Sequence, residues 1–236
     1  MKRKIFIIVA MLVPLALFAV AVMSPDEPEF RLVEQFDDFQ LREYTPFVVA
    51  ETQVDGGFED SGSRAFQVLI DYIQGGNQGG RNLPMMAPVN QQPMNQQQVN
   101  QQQANQQPID QGIAADGERI GQDIAGRAPM TQRGAETADH WLFQFVMAKE
   151  YILPMLPAPL DERVALRQMP ARLVAARRYS GGWDEQAYRD NEQVLLERLR
   201  HERLKPVGAP VFARYNAPFV PWFLRRNEVL VEVARP

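Results

Sequence analysis

The sequence predicts an α+β domain built from duplicated half-domains, in which a curved antiparallel sheet of about eight strands is covered on one side by two main helices. Three observations predict this class: a long-period internal repeat, a strand, strand, helix, strand order in each half, and helical spacing of apolar residues after each Gly-Gly pair. Because strands and helices do not alternate one by one, an antiparallel sheet is favoured over a parallel one.

The internal repeat appears when the chain is shifted by 125 positions. The shift places LREYTPFVVAETQVDGGFED, from Leu41, over LRQMPARLVAARRYSGGWDE, from Leu166, without a gap. This period is far longer than the roughly 20 to 50 residues of a solenoid repeat. We therefore predict two related half-domains packed about a pseudo-twofold axis, with Phe58 and Trp183 in equivalent places.

The first half contains two predicted strands, FQLREY and FVVAETQV, joined by a turn at Thr45-Pro46. A Gly-Gly pair ends the second strand, and acidic residues then stand where the start of a helix favours negative charge. The pattern WLFQFVM predicts a further strand. Within the predicted helix RAFQVLIDYI, the apolar residues with helical spacing are Phe66, Leu69, Ile70 and Ile73.

The second half repeats this order. The segment YRDNEQVLLERLRHERL predicts a helix with a narrow apolar stripe and a charged back, and VFARYN and EVLVEV predict strands. The residues of the apolar stripe are Tyr188, Leu195 and Leu199.

The N-terminus, residues 1–24, predicts an export signal. Basic residues at positions 2–4 precede an unbroken apolar run from Ile5 to Met23, and acidic residues follow. The basic flank favours the cytoplasmic side, so the rest of the chain is expected on the periplasmic side of the inner membrane. The run is either cleaved as a signal peptide or retained as a membrane anchor. A buried core helix is disfavoured because the run has no polar face.

A segment rich in glutamine and asparagine begins at Asn90. Its composition offers little apolar surface to offset the entropy of ordering, so a disordered insertion over about 90–128, without a site of its own, is predicted. The alternative, a self-associating polar tract, is opposed by the prolines and by the lack of aromatic residues.

The composition excludes several classes of chemistry. The chain has no cysteine, which excludes disulfides, thiolate metal sites and a cysteine nucleophile, and its two histidines are too few for a multi-histidine metal site. The net charge of −4 argues against nucleic acid as a partner. No pattern pairs a nucleophile with a base, so we expect a binding protein and not an enzyme.

Three stretches resemble the SOUL family of haem-binding proteins. They are YIQGGN followed by LPMMAPVNQ, then FQFVMAKEYILPMLPAPLDERV, and finally RYNAPFVPWFLRRNEVLVEV. The resemblance extends from Phe30 to Val233 apart from the insertion and implies a domain over 28–236. It also implies a distorted barrel of two repeats, similar to the effector-binding domains of bacterial regulators. The implied function is binding of haem or another tetrapyrrole at an apolar surface near the first helix.

The sequence departs from the family pattern at two points. Met86 stands where the family has threonine, and no histidine lies between Met1 and Asp139, although some members are thought to ligate iron through a histidine in the first half. The resemblance therefore implies binding through apolar contacts, with cations facing the propionates. The alternative is a binding module for another apolar small molecule, such as a lipid or a drug-like effector, on the same surface.

The candidate ring contacts are Phe66, Leu69, Ile70 and Ile73 of the first helix, whose alternative role is packing in the core. Arg64 is the candidate partner of a propionate, because arginine can make paired hydrogen bonds to a carboxylate. Its alternative role is a surface arginine that neutralises Asp60.

The candidates for an iron ligand are weaker. His140 precedes the strand at Trp141 and could reach iron, but a plain loop histidine is the alternative, and His201 is expected to be solvated on a charged helix. Methionine sulfur is a soft ligand, although methionines beside proline are usually packing residues. The methionines in question are Met85, Met86 and Met130.

Overall fold

The computed structural model describes residues 26–94 and 140–235. The predicted export signal, residues 95–128 of the predicted insertion, and residues 129–139 lie outside the described residues. In the described part, no helix is long and apolar enough to cross a membrane. The helices are α1, Phe58–Ile73, and α2, Glu185–His201. The strands are β1 Phe30–Gln35, β2 Gln40–Tyr44, β3 Phe47–Asp55, β4 Met85–Pro93, β5 His140–Met147, β6 Ala165–Met169, β7 Arg172–Tyr179, β8 Val211–Arg214 and β9 Asn227–Glu232.

The strands of the described ranges form one curled, half-barrel sheet in the order β1-β2-β7-β9-β8-β4-β5-β3-β6. Every pair of neighbours is antiparallel. The predicted α+β class with two helices is confirmed, with nine strands where about eight were expected.

The strands of the two halves are interleaved. Although β2 and β3 follow each other in the chain, β2 pairs with β1 and β7, and β3 pairs with β5 and β6. The predicted turn therefore joins strands that lie far apart in the sheet. Under the 125-residue shift β2 corresponds to β6 and β3 to β7, and with the edge strand β1 left out these strands take mirrored places in the sheet order. The order is the one that a duplication predicts, and the duplication itself remains a prediction.

Both helices pack on the same side of the sheet around Phe58. The Phe58 ring lies 5.2 Å from Trp141 and 5.7 Å from both Tyr188 and Phe212, measured between ring centroids. Aromatic side chains bury large apolar areas, so this cluster joins α1, α2 and the sheet into one core. The stripe predicted for α2 is buried: Tyr188, Leu195 and Leu199 are all 0% exposed.

The repeated Gly-Gly pair has a conformational reason. Gly56 and Gly181, the first glycines of the pairs, have φ angles of 110° and 144°, a region that residues with a side chain rarely adopt. A Cβ atom at Gly56 would also come within 2.6 Å of Arg64 Nη2. The acid after the second pair, Asp184, accepts a hydrogen bond of 2.9 Å from the backbone nitrogen of Ala187 and so caps α2.

The start of the glutamine-rich region is ordered, which corrects its predicted boundary. Residues 90–93 belong to β4 and pair with β5. Gln91 is 1% exposed, and its amide donates to the Phe58 carbonyl at 2.9 Å and accepts from Arg214 Nη2 at 2.6 Å. A glutamine with both ends of its amide hydrogen-bonded can be buried, a possibility that composition does not reveal.

The opposite face of the sheet carries a buried ion pair. Arg42, on β2, donates from Nη1 to Glu228 Oε2 at 2.7 Å and from Nη2 to Oε1 at 3.1 Å. Tyr215 and Arg226 also donate to the Glu228 carboxylate. Burial raises the pKa of Glu228, but the hydrogen bonds and charges of Arg42 and Arg226 outweigh it, so the pKa lies below its ordinary value. The negative charge of Glu228 is therefore balanced by two arginines of the fold.

Candidate functional site

An apolar cavity of about 560 Å³ lies on the helical side of the sheet, beside α1. A second cavity of about 310 Å³ adjoins it and shares part of its wall. These volumes lie within the range of small-molecule sites, which are mostly apolar clefts of about 300 to 1,000 Å³. The residues common to both cavities are Phe66, Val89, Trp183, Arg214 and Pro218.

The sheet supplies one wall through a row of side chains on one face. Val89 of β4 lies opposite Phe145 of β5 and opposite Arg214 of β8, and directly paired residues of neighbouring strands share a face. Phe143 lies two residues before Phe145 and therefore points to the same side. Three adjacent strands thus present valine, phenylalanine and arginine side by side.

Helix α1 supplies the opposite wall with Gly62 and Phe66, which stand one turn apart. Phe66 is 44% exposed, and its ring centroid lies 5.5 Å from that of Phe145. A Cβ atom at Gly62 would lie 3.4 Å from Arg214 Nη1, so the glycine keeps this part of the cavity open. The Phe66 ring therefore packs against Phe145, and its exposed part lines the cavity.

Trp183 and the loop after β8 close the third side. The indole Nε1 of Trp183 donates to Asn227 Oδ1 at 3.0 Å, which fixes the ring, and the Arg225 guanidinium lies 4.3 Å from the ring centroid. Arg225 donates to the carbonyls of Pro218 and Val220 at 2.7 Å each. These hydrogen bonds hold the loop that carries Pro218 against the cavity.

Arg214 is the charged residue inside this apolar site. Its guanidinium carbon lies 4.8 Å from the ring centroid of Phe212 and 5.4 Å from that of Trp183, distances at which a cation is attracted to the ring face. Nη2 donates to the neutral amide of Gln91, whereas Nε is buried without a hydrogen-bond partner in the described ranges. Burial lowers the pKa of Arg214 to about 10.

The carboxylates at the cavity do not neutralise Arg214. Glu59 and Asp184 line the larger cavity, but both are exposed, and Arg214 forms no ion pair with any acid in the part of the chain that the structure describes. At neutral pH the cavity therefore holds a partly buried cation whose only described polar partner is an uncharged amide.

The candidate ring contacts are divided between cavity and core. Phe66 lines both cavities. Leu69 and Ile73 are 0% and 8% exposed in the main core, and Ile70 packs against that core partly buried. Arg64 is absent from the residues that line the cavities; its Nη2 donates to the Asp55 carbonyl.

The candidate iron ligands lie outside the larger cavity. His140 Nδ1 is 2.6 Å from Asp55 Oδ1, and the exposed His201 has its Nδ1 2.9 Å from Glu202 Oε1. Met85 and Met86 line the smaller cavity, and Met130 lies outside the described residues. Among the residues described, no group of three or more histidine, aspartate or glutamate side chains could hold a metal ion.

Arg214 and Trp183 were not among the sequence candidates, although a signal for Arg214 was present. In VFARYN, Phe212 and Arg214 stand two apart on a strand and so share a face. Because Phe212 is apolar and expected in the core, an arginine on its face marks a charge on the core side of the sheet. The sequence contains no comparable signal for Trp183. The repeat matches it with Phe58 and so predicts the same role for both, but Phe58 is 3% exposed in the core whereas Trp183 lines the cavity.

Solved structures with the same fold include the C-terminal domain of EcmrR, with a TM-score of 0.55, 10% sequence identity and coverage of 84% of this chain and 99% of that chain. EcmrR in a complex with DNA gives a TM-score of 0.54 at 9% identity, covering 100% of this chain and 69% of that chain. A hydrolase from Listeria innocua has a TM-score of 0.46 at 6% identity, covering 86% and 94% of the two chains. For the two EcmrR structures, identities this low show a shared fold alone.

No curated protein matches the sequence significantly. The family model described as SOUL heme-binding protein matches residues 25–232, which include both helices, all nine described strands and every residue of the cavity described above. The chain therefore belongs to the SOUL heme-binding protein family.

Proposed function

We propose that the protein binds haem or another tetrapyrrole in the cavity beside α1. The observation that carries the proposal is the Phe66 ring, which is 44% exposed, packs edge-on against Phe145, and lines the cavity together with Phe143 and Phe145. A planar macrocycle could cover these rings. Burial of a few hundred Å² of apolar surface contributes several kcal/mol, at about 25 cal/mol per Å², before the costs of association.

The residues present fit the ring of a tetrapyrrole better than its metal. The cavity walls are aromatic and aliphatic, and no histidine is among the described residues that line the two cavities. Bound haem would supply iron chemistry. The side chains of this chain would hold the macrocycle through its faces and its acidic groups, so the metal-free ring should bind as well as the iron complex.

The second candidate function is binding of another apolar small molecule, such as a lipid or a drug-like effector. The smaller cavity favours this candidate, because its volume of about 310 Å³ and its wall of Met85, Ala87 and Val89 suit a compact aliphatic group. In both cases the proposed role is binding and not catalysis. The apolar N-terminal run supports a location on the periplasmic side of the inner membrane, anchored or soluble.

Titration with haem and with protoporphyrin IX, followed by porphyrin absorbance and tryptophan fluorescence, tests the proposal. We expect both to bind with similar affinity. Phe66→Glu should weaken both at least tenfold, because it sets a carboxylate against the ring face. Gln67→Glu is the matched control: it adds the same charge at the next, exposed position of α1, outside the cavities, and should leave both affinities unchanged.

The same titration separates the alternatives. His140→Ala should alter neither affinity; a variant that loses haem and keeps protoporphyrin would make His140 the iron ligand and contradict the cavity site. If the unmodified protein binds neither porphyrin, the tetrapyrrole proposal is wrong. Binding of a compact fluorescent fatty acid that Phe66→Glu abolishes would then support the second candidate.

A further inference from the structure

We propose that the cavity selects ligands that carry a carboxylate, and that Arg214 on β8 is the residue that receives it. The inference rests on the proposed function, since it concerns a ligand of the same cavity. It goes beyond that function by stating that the ligand must be negatively charged and by naming the residue that binds this charge.

The first argument is the position of the guanidinium. Arg214 lines both cavities, and its side chain is held between the rings of Phe212 and Trp183 and the amide of Gln91. A guanidinium fixed in this way has lost its conformational freedom before a ligand arrives. Preorganised donors bind at a smaller entropic cost than flexible ones do.

The second argument is the number of donors. Arginine has five N–H donors in a planar fork, and this fork matches the two oxygens of a carboxylate. In the described ranges, the hydrogen bonds of Arg214 are limited to one from Nη2 to Gln91, and its buried Nε has no partner. Nε is shielded from solvent, so a ligand in the cavity would meet Nη1, which has no hydrogen bond among the described residues and lies beside Gly62.

The third argument is the charge balance. Arg42, which is also deeply placed, is matched by the Glu228 carboxylate at 2.7 Å, whereas Arg214 has only a neutral amide. With its pKa lowered to about 10 by burial, Arg214 is still protonated at neutral pH. A cation in apolar surroundings stabilises a bound anion and repels a bound cation more strongly than the same charge in water does.

The sequence candidate for this role, Arg64, is in a different situation. It is exposed on α1, it does not line the cavities, and its Nη2 donates to the Asp55 carbonyl. Replacing Arg64 removes one positive charge near α1 without changing the cavity wall, so it is the matched control for Arg214. The same variant also tests whether Arg64, and not Arg214, binds the carboxylate.

The experiment compares protoporphyrin IX with its dimethyl ester, which has the same ring without the two negative charges. Affinities are measured by fluorescence quenching for the unmodified protein and for Arg214→Met, Arg214→Lys and Arg64→Met. We expect the unmodified protein to prefer the acid about 10- to 100-fold, the range of a charge-assisted hydrogen bond. Arg214→Met should abolish this preference, Arg214→Lys should keep part of it, and Arg64→Met should keep all of it.

The ester also shows whether each variant is folded. Arg214→Met should keep the thermal melt and should lose more affinity for the acid than for the ester. An equal loss of both ligands with an unchanged melt would contradict the inference, whereas loss of the melt as well would show that the fold is damaged. Arg214→Lys keeps the charge and most of the volume, so it shows whether the ligand is recognised through the paired hydrogen bonds of the guanidinium or through the positive charge alone. Tetraphenylphosphonium, an apolar cation, should bind at least tenfold more weakly than protoporphyrin IX.

Three outcomes would overturn the inference. Equal affinity for acid and ester in the unmodified protein would show that charge is not read, although the tetrapyrrole proposal would stand. A preference that survives Arg214→Met and disappears in Arg64→Met would assign the carboxylate to Arg64. Binding of tetraphenylphosphonium as tight as that of protoporphyrin IX would contradict selection for anions. Failure of acid and ester alike would count against the proposed function itself.

Discussion

Two arginines show how the same residue type serves structure on one face of the sheet and ligand recognition on the other. Arg42 is 4% exposed and has both oxygens of Glu228 as acceptors. Arg214 faces a cavity and has one neutral partner. Burying a charge costs free energy unless the charge is paired. The paired Arg42 is therefore compatible with a stable fold, whereas the unpaired Arg214 carries a desolvation cost that a bound anion would offset.

This difference predicts a large loss of stability when Arg42 is replaced and a small change when Arg214 is replaced. Arg42→Met should lower the free energy of unfolding by about 3 kcal/mol, the lower end of the cost of breaking a buried pair, because Arg226 and Tyr215 still contact Glu228. Arg214→Met should change it by less than about 1 kcal/mol, because the lost hydrogen bond to Gln91 is offset by removal of an unpaired charge. Urea denaturation of both variants measures the two values.

The comparison has a clear contrary result. If Arg214→Met destabilises the protein as much as Arg42→Met does, the Arg214 guanidinium is a structural group whose partners lie in the fold. Its role as a ligand contact would then lose its physical basis. The Arg42→Lys variant serves as a control, since it keeps the charge but loses the second hydrogen bond.

At the scale of elements, β4 changes character along its length. Its first residues, from Met85, pack against the core and the smaller cavity, while residues 90–93 are polar and continue the sheet against β5. Gln91 links the strand to the start of α1 through the Phe58 carbonyl. The polar end of the strand is ordered by its backbone pairing and by this buried amide, whereas its first residues pack through apolar side chains.

We predict that changes in β4 affect stability strongly, whereas changes in the insertion that follows it affect stability little. Gln91→Leu should cost about 1 to 3 kcal/mol, because it leaves the Phe58 carbonyl and the Arg214 fork without their amide partner. Deletion of Gln96 through Gln107 should shift the melting temperature by no more than about 2 °C, since loop length has a small effect on stability. Thermal denaturation followed by circular dichroism checks both. A large loss on deletion would show that the segment packs on the domain.

At the scale of the whole molecule, the two halves complete each other's sheet. β2 of the first half pairs with β7 of the second, and β6 of the second pairs with β3 of the first. Core residues from both helices meet around Phe58, so the apolar cluster is also shared. Each half alone would expose an unpaired strand edge and part of the core.

This interleaving predicts that neither half folds alone. A fragment of residues 26–147 and a fragment of residues 148–236, expressed separately, should give poorly dispersed amide spectra and no cooperative unfolding. Co-expressed, the fragments should associate and recover the cooperative transition, because the missing neighbours of each sheet edge are then supplied. Cooperative unfolding of either fragment by itself would contradict this prediction and indicate an independent half-domain.

The fold class and the positions of most helices and strands could be predicted from the sequence, because they depend on local patterns of residues. The apolar stripe of α2, the strands around Trp141 and Val211, and the glycine pairs before both helices follow from residue spacing and backbone preference. The motifs in their order were also sufficient to indicate the family, which the match over residues 25–232 confirms.

The membership of the site depends on how the helices and strands pack against one another. Spacing along α1 places Phe66 with Leu69 and Ile73, but packing buries the last two and leaves Phe66 at the cavity. Arg214 and Trp183 join Phe66 from distant parts of the chain through strand register and helix placement. Local patterns show which face a side chain occupies, whereas the partners that face it depend on contacts between elements remote in sequence.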